Sequence, residues 1–233
     1  MADSPYQNVT FASNGGTAHG YLALPESGSG PGLIVIQEWW GLDDSLKEVV
    51  DRFAAAGFVA LAPDLFGGRV AHDSDEAGRL LQELPVEQAT KDLRGAVDFL
   101  LDHDAVTTPK VGVVGFCMGG GFALLLGAQE GDRIGAVVPF YGVGPGVPDS
   151  YRGLTAPVQG HYGDDDQMMP VTDAHRTEEQ IKQETGVPVE FFYYPAGHAF
   201  MNPKDRMGTY QRSLAEQAWS RTVGFLEQNL VLR

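Results

Sequence analysis

Residues Val111-Gly-Val-Val-Gly-Phe-Cys117-Met-Gly-Gly-Gly121 constrain this chain more than any other stretch. The β-branched run predicts a strand, Gly115-Phe-Cys-Met-Gly119 a sharp turn, and the apolar residues from Met118 onward a helix. A turn that tight holds its apex residue in strained backbone geometry. A side chain two positions before or after the apex would collide with the turn, which accounts for both glycines. The apex is Cys117, the one cysteine of the chain. An inert buried cysteine needs no flanking glycines. The arrangement therefore predicts a thiol nucleophile displayed between a strand and a helix.

The chain has 233 residues, the length of one α/β domain, and a single domain over residues 1–233 is expected. One cysteine excludes an intramolecular disulfide framework and a cysteine-rich zinc site. Met1–Pro5 carries neither a basic nor an apolar leader, and no run reaches the roughly 18 apolar residues of a membrane span. A reduced, cytoplasmic location follows as the expectation. The formal charge of −15, from 16 basic and 31 acidic residues, argues against nucleic-acid and anionic-membrane partners. Its reading is solubility.

Strand and helix patterns alternate. Val9–Phe11 and Ala18–Leu24 flank the Asn14-Gly15-Gly16 turn signal and predict an antiparallel hairpin. Gly32–Gln37 and Phe58–Pro63 are apolar throughout, as in strands buried on both faces. Leu46, Val49, Val50 and Phe53 recur at helical spacing, stopped by Gly57. Asp73–Leu84 and Val86–His103 predict two helices, with His103 at the end of the second. Lys110–Phe116 is the nucleophile strand and Met118–Gln129 its helix. Ile134–Phe140, Val158–Tyr162 and Val189–Tyr194 are further strands. Thr172–Glu184 and Gln211–Leu230 are helices, the last with Leu214, Ala218, Val223 and Leu226 facing inward. The pattern predicts a mostly parallel twisted sheet with helices on both faces, edged by the N-terminal hairpin.

In such a sheet, loops at the carboxyl ends of the strands build the site. After the Val158 strand comes Gly163-Asp164-Asp165-Asp166-Gln-Met-Met-Pro170. After the Val189 strand comes Pro195-Ala-Gly197-His198-Ala-Phe200. After the Gly32 strand comes Gln37-Glu38-Trp39-Trp40-Gly41. The chemistry needs these types. A free thiol has a pKa of about 8.5, so a base must take its proton, and a carboxylate on the base's other ring nitrogen must fix the tautomer. Of six histidines, His198 alone follows a terminal strand in a Gly-His turn. His161 lies within a strand and reads as a satisfied core residue. The three aspartates are equivalent in sequence terms. A metal site built from them and His198 lacks ligand spacing, so neither metal nor cofactor is expected.

At these residues the chain resembles the dienelactone hydrolase family of α/β-hydrolases, over nearly its whole length. Gln37-Glu-Trp-Trp-Gly41, Ala62-Pro-Asp-Leu65, Gly115-Phe-Cys-Met-Gly-Gly120, Asp166-Gln-Met-Met-Pro170 and Ala196-Gly-His-Ala-Phe200 carry the resemblance. It implies a Cys117–Asp166–His198 triad, with Asp166 chosen because the family aspartate stands four residues before the motif proline. It implies that Glu38 contacts the resting thiol and helps to release the thiolate, and that the Trp39 and Met118 N–H groups form the oxyanion hole.

Trp40, Phe66, Tyr141, Met168, Phe200 and Asn202 are expected to line the substrate pocket, with Trp39 and Met169 beside them. Asn202 stands four residues after the histidine, where family members carry a carboxylate-binding arginine. The expected substrate is therefore a neutral, apolar or aromatic ester or lactone, cleaved by a monomer or small homo-oligomer. Hydrolysis of other activated esters, phosphoesters included, is the alternative chemistry. A non-catalytic redox-sensing or binding module is the alternative class, which would not need Asp166 and His198.

Overall fold

The computed structural model describes residues 6–142, 144 and 146–230. Met1–Pro5, read above as lacking a leader, lies outside them. The chain divides into two compact units, to Val111 and from Gly112.

In the first unit, β1 (Val9–Ser13) and β2 (Gly16–Ala23) form the antiparallel hairpin, with Asn14 and Gly15 both at positive φ, 39° and 87°. That is the backbone a two-residue turn needs to match the twist of its strands. β2 pairs antiparallel with β4 (Val59–Pro63), and β4 pairs parallel with β3 (Gly32–Ile36), giving the order β1-β2-β4-β3. Both β3 and β4 are buried along their whole length, as their unbroken apolar runs require.

Helix α1 (Asp44–Ala55) starts where the Asp43 carboxylate accepts the Leu46 N–H, and Gly57 at φ 100° ends it. α2 (Ser74–Glu83) is capped the same way by Asp73. α3 (Val86–Leu101) lies against β1. A Cβ on Gly95 would stand 2.3 Å from the Ala12 carbonyl oxygen, so only glycine permits that approach. α3 stops two residues short of His103. His103 instead accepts the Ala105 N–H on Nδ1 and shapes the turn that follows.

In the second unit the order is β5-β6-β7-β8, from β5 (Val111–Phe116), β6 (Ile134–Phe140), β7 (Val158–Gly163) and β8 (Val189–Tyr194). β6, β7 and β8 pair in parallel. Helix α4 (Met118–Glu130) is apolar all round and almost wholly buried, as an all-round apolar helix must be. α5 (Val171–Glu184) packs on β7 and β8, and α6 (Arg212–Leu230) on β6 and β7.

The inward face of α6 differs from the expected one. Ala215, Ala218, Thr222, Leu226 and Leu230 are buried, whereas Leu214 and Val223 flank them half-buried. Hydropathy alone misplaces this face because one buried position is a threonine whose hydroxyl is hydrogen-bonded inside. Among the described residues no helix is long and apolar enough to cross a membrane.

Candidate active site

β5 runs directly into Cys117, which sits at φ 54°, ψ −121° and opens α4. Its N–H donates to the Phe140 carbonyl at 3.0 Å, and its carbonyl accepts from Gly120 and Gly121. The glycines at positions 115 and 120 have a geometric cause. A Cβ on Gly115 would stand 1.9 Å from the Gly119 oxygen, and one on Gly120 would stand 2.7 Å from the Gly142 Cα. The thiol is buried, with 4% of the residue exposed.

The acid loop follows β7. Of its three aspartates, Asp164 and Asp165 are exposed and Asp166 is buried. Asp166 Oδ1 accepts the Met168 and Met169 N–H groups, each at 2.8 Å, and Oδ2 lies 2.7 Å from His198 Nδ1. Accepting from amides two and three residues ahead is the turn that aspartate favours, and it turns this side chain inward. Asp164 and Asp165 bond through the backbone: their N–H groups donate to Tyr194 O and Ala196 O, and the Asp165 carbonyl accepts from the Gln167 side chain.

The histidine loop follows β8. His198 is 3% exposed, the Thr209 hydroxyl donates to its carbonyl, and Ala199 follows at φ 59°. His198 Nε2 is buried and makes no hydrogen bond among the described residues. The Cys117 side chain is close enough to act on the imidazole as a whole. Burial is the largest single influence on this imidazole and favours its neutral form. The Asp166 carboxylate and the Cys117 sulfur together overcome it and raise the pKa from 6.5 to about 10. An imidazole with its pKa raised in this way carries a proton at neutral pH.

Three non-glycine residues of this unit hold left-handed backbone beside or within the constellation: Cys117, Tyr141 and Ala199. Tyr141 has no exposed surface, and its ring stands 4.9 Å from that of His198. Phe200 is likewise fully buried, between Tyr141 at 5.8 Å and Tyr194 at 4.9 Å. Tyr141 thus packs directly on the histidine ring, and Phe200 packs behind Tyr141. Met168 is 40% exposed. Asn202 is half-buried, and its Oδ1 accepts the Lys204 N–H at 3.0 Å within a local turn.

The remaining predicted residues belong to the first unit. Glu38 and Trp39 follow β3 and are half-buried. Trp39 meets the buried Trp40 edge-on at 5.3 Å, and Phe66 is buried beside the turn that its carbonyl closes with Arg69. The amides that hold Asp166 escaped the sequence reading. No local pattern signals them, since three consecutive aspartates precede the same proline. Among the described residues no group of three or more His, Cys, Asp or Glu side chains could hold a metal ion.

A left-handed residue between a parallel strand and a buried helix, followed in chain order by an acid loop and a histidine loop, defines the α/β-hydrolase class. Within that class, the chain belongs to the dienelactone hydrolase family, whose model matches residues 18–230. It is 36% identical to the protein named usf of Aquifex pyrophilus, over 96% of this chain and 99% of that one. It is 31% identical to a candidate carboxymethylenebutenolidase of Aquifex aeolicus, with the same coverage. Among solved structures, a dienelactone hydrolase-like promiscuous phosphotriesterase from metagenomic libraries superposes with a TM-score of 0.82 at 25% identity, covering 96% of this chain and 97% of that one.

Proposed function

We propose that the chain hydrolyses small neutral carboxylic esters or lactones through a thioacyl intermediate on Cys117. The observation that carries this reading is the buried Asp166–His198 hydrogen bond beside the only thiol, at a left-handed strand-to-helix turn. The Cys117 thiolate attacks the ester carbonyl carbon. The C–O bond to the leaving group then breaks, and the alkoxide takes the proton held on His198. A thioester remains. His198, now neutral, takes a proton from water, whose oxygen attacks the thioester and releases the carboxylic acid and the thiolate. Asp166 keeps Nδ1 protonated and faces the imidazolium throughout.

By the family resemblance, Glu38 assists release of the thiolate, and the Trp39 and Met118 N–H groups receive the carbonyl oxygen as it gains charge. The family model runs through both compact units, which supports one catalytic domain. A thiol that must stay reduced suits a cytoplasmic location. Neutral substrates are favoured because Asn202 stands where the family arginine would bind a carboxylate, and Arg69 is already engaged by Glu83 at 2.7 Å. A second activity, on phosphotriesters, is supported by the likeness to the promiscuous phosphotriesterase. The test is a pre-steady-state burst with a chromogenic aryl ester, together with mass spectrometry of the trapped thioester. Cys117→Ala should abolish both. Retained turnover in that variant would end the proposal.

A further inference from the structure

In the same unit a second set of polar side chains runs from the half-buried Arg221 into the core. Arg221 of α6 lies 4.0 Å from the Phe192 ring centroid and donates from Nη1 to Tyr194 Oη at 3.0 Å. Tyr194 Oη is 2.8 Å from His161 Nδ1. His161 Nε2 is 3.2 Å from Gln159 Oε1 and 3.1 Å from Thr222 Oγ1. His161 and Thr222 have no exposed surface, and Tyr194 is 2% exposed.

Donor arithmetic gives the chain a direction. A guanidinium only donates, so the Tyr194 oxygen accepts from it. The single hydroxyl proton then goes to His161 Nδ1, and the ring proton sits on Nε2, shared between Gln159 and Thr222. Every member is satisfied in this one arrangement, and a satisfied buried network specifies geometry.

The geometry it specifies concerns the triad. His161 lies on the strand leading to Asp166. Tyr194 ends the strand leading to His198, and its carbonyl accepts one N–H from each loop, Asp164 and Ala196, both at 2.7 Å. The His161 carbonyl accepts the Tyr141 N–H at 2.8 Å, and Tyr141 is the residue packed on His198. The backbone of Tyr194 thus holds both loops while its side chain is held by α6 and β7.

We propose that Tyr194, fixed by Arg221 and His161, is a positioning residue that sets the loop bearing Asp166 against the loop bearing His198; its catalytic consequence rests on the triad reading above. Tyr194→Phe keeps the ring and removes only Oη. The expected result is a fall in kcat of about 10-fold, on the scale of one buried hydrogen bond, with KM unchanged. The strongly deshielded proton NMR signal of the Asp166–His198 hydrogen bond should move upfield in the same variant. Thr222→Val is the matched control. Gln159 still accepts from Nε2, so kcat should stay within about two-fold and the proton signal should stay in place.

Nitrogen-15 histidine spectra of the wild type should show His161 protonated on Nε2 alone, and protonation on Nδ1 would overturn the assigned direction. A folded Tyr194→Phe protein with wild-type kcat and an unmoved proton signal would overturn the positioning role. Should that variant fail to fold, Arg221→Met cuts the chain from its solvent end and is read by the same two criteria. Turnover by Cys117→Ala would remove the triad reading. The position of the Asp166–His198 proton signal would still decide whether Tyr194 sets the two loops.

Discussion

Two histidines of the second unit are almost equally buried and are driven in opposite directions. His161, on β7, has its pKa lowered from 6.5 to about 3, by burial first and by the Arg221 guanidinium second. His198, in the loop after β8, has its pKa raised to about 10 although burial opposes the charge there too. Both rings are hydrogen-bonded. The difference lies in what faces the nitrogens. A phenol, an amide and a hydroxyl surround His161 and offer no negative charge. A carboxylate and a sulfur bracket His198. Burial sets the size of the electrostatic stakes, and the charge across from the ring sets the sign.

The strongest way to break this contrast is to remove the carboxylate. Asp166→Asn leaves burial unopposed on that side, so His198 should become neutral at pH 7 and lose tautomer control, with kcat down by about 10⁴. NMR titration of the His198 ring protons and single-turnover kinetics report both. Asp164→Asn and Asp165→Asn should stay close to wild type, since both side chains are exposed. Equal losses at all three positions would mean that the loop acts as a whole.

The next effect is on acid stability and concerns the other ring. With its folded pKa below the unfolded value, His161 makes the unfolded chain the better proton binder between about pH 3 and 6.5. Stability from this source is complete above pH 6.5 and falls by about 1.4 kcal/mol per pH unit below it. The charged and titratable groups facing the ring are Arg221 from α6 and Tyr194 from β8. His161→Phe fits between Phe140 and Phe192, which stack on either side at 4.5 and 5.6 Å. The variant should be less stable at pH 8, where Tyr194 and Gln159 lose their partner. From pH 6.5 to 4 its stability should decline less steeply in urea titrations. An unchanged slope would assign the acid sensitivity elsewhere.

The smallest expected effect sharpens the comparison by giving His198 a cation, as His161 has. Asn202→Arg should lower the His198 pKa modestly. It should also narrow the preference for a neutral aryl ester over an analogue with a carboxylate on the acyl part, by supplying that carboxylate with a partner. A wild-type preference for the anionic analogue would defeat the neutral-substrate reading.

The contrast also separates what the sequence discloses from what it hides. The turn at Cys117 is legible because steric exclusion demands glycine at Gly115, whatever surrounds it. The strands are legible because β3, β4, β5 and β6 are buried on both faces and write unbroken apolar runs. His198 is legible from its Gly-His turn after the last strand. Asp166 is not separable from Asp164 and Asp165 by composition, because its distinction is two backbone amides reached only when the loop has folded. The ring orientations of Tyr141 and Phe200 are hidden for the same reason, since left-handed steps at Tyr141 and Ala199 redirect side chains without any glycine to signal them. The chain from Arg221 to His161 joins residues distant in sequence through a sheet register, and no local pattern encodes it.

Left-handed backbone at a residue bearing a Cβ costs about 1–3 kcal/mol, and within or beside the candidate site it falls at Cys117, Tyr141 and Ala199. That cost makes the site a stability reserve which selection for robustness alone would draw down. Ala199→Gly should raise the melting temperature by relaxing the loop while every reacting group stays in place. Cys117→Gly should relax the turn as well, at the loss of all thiol chemistry. A library screened only for heat tolerance would therefore drift toward glycine at position 117 and return a sturdier protein without its thiol. On the thiol chemistry proposed above, the sharp turn at Cys117 is the point at which durability and turnover come into direct competition.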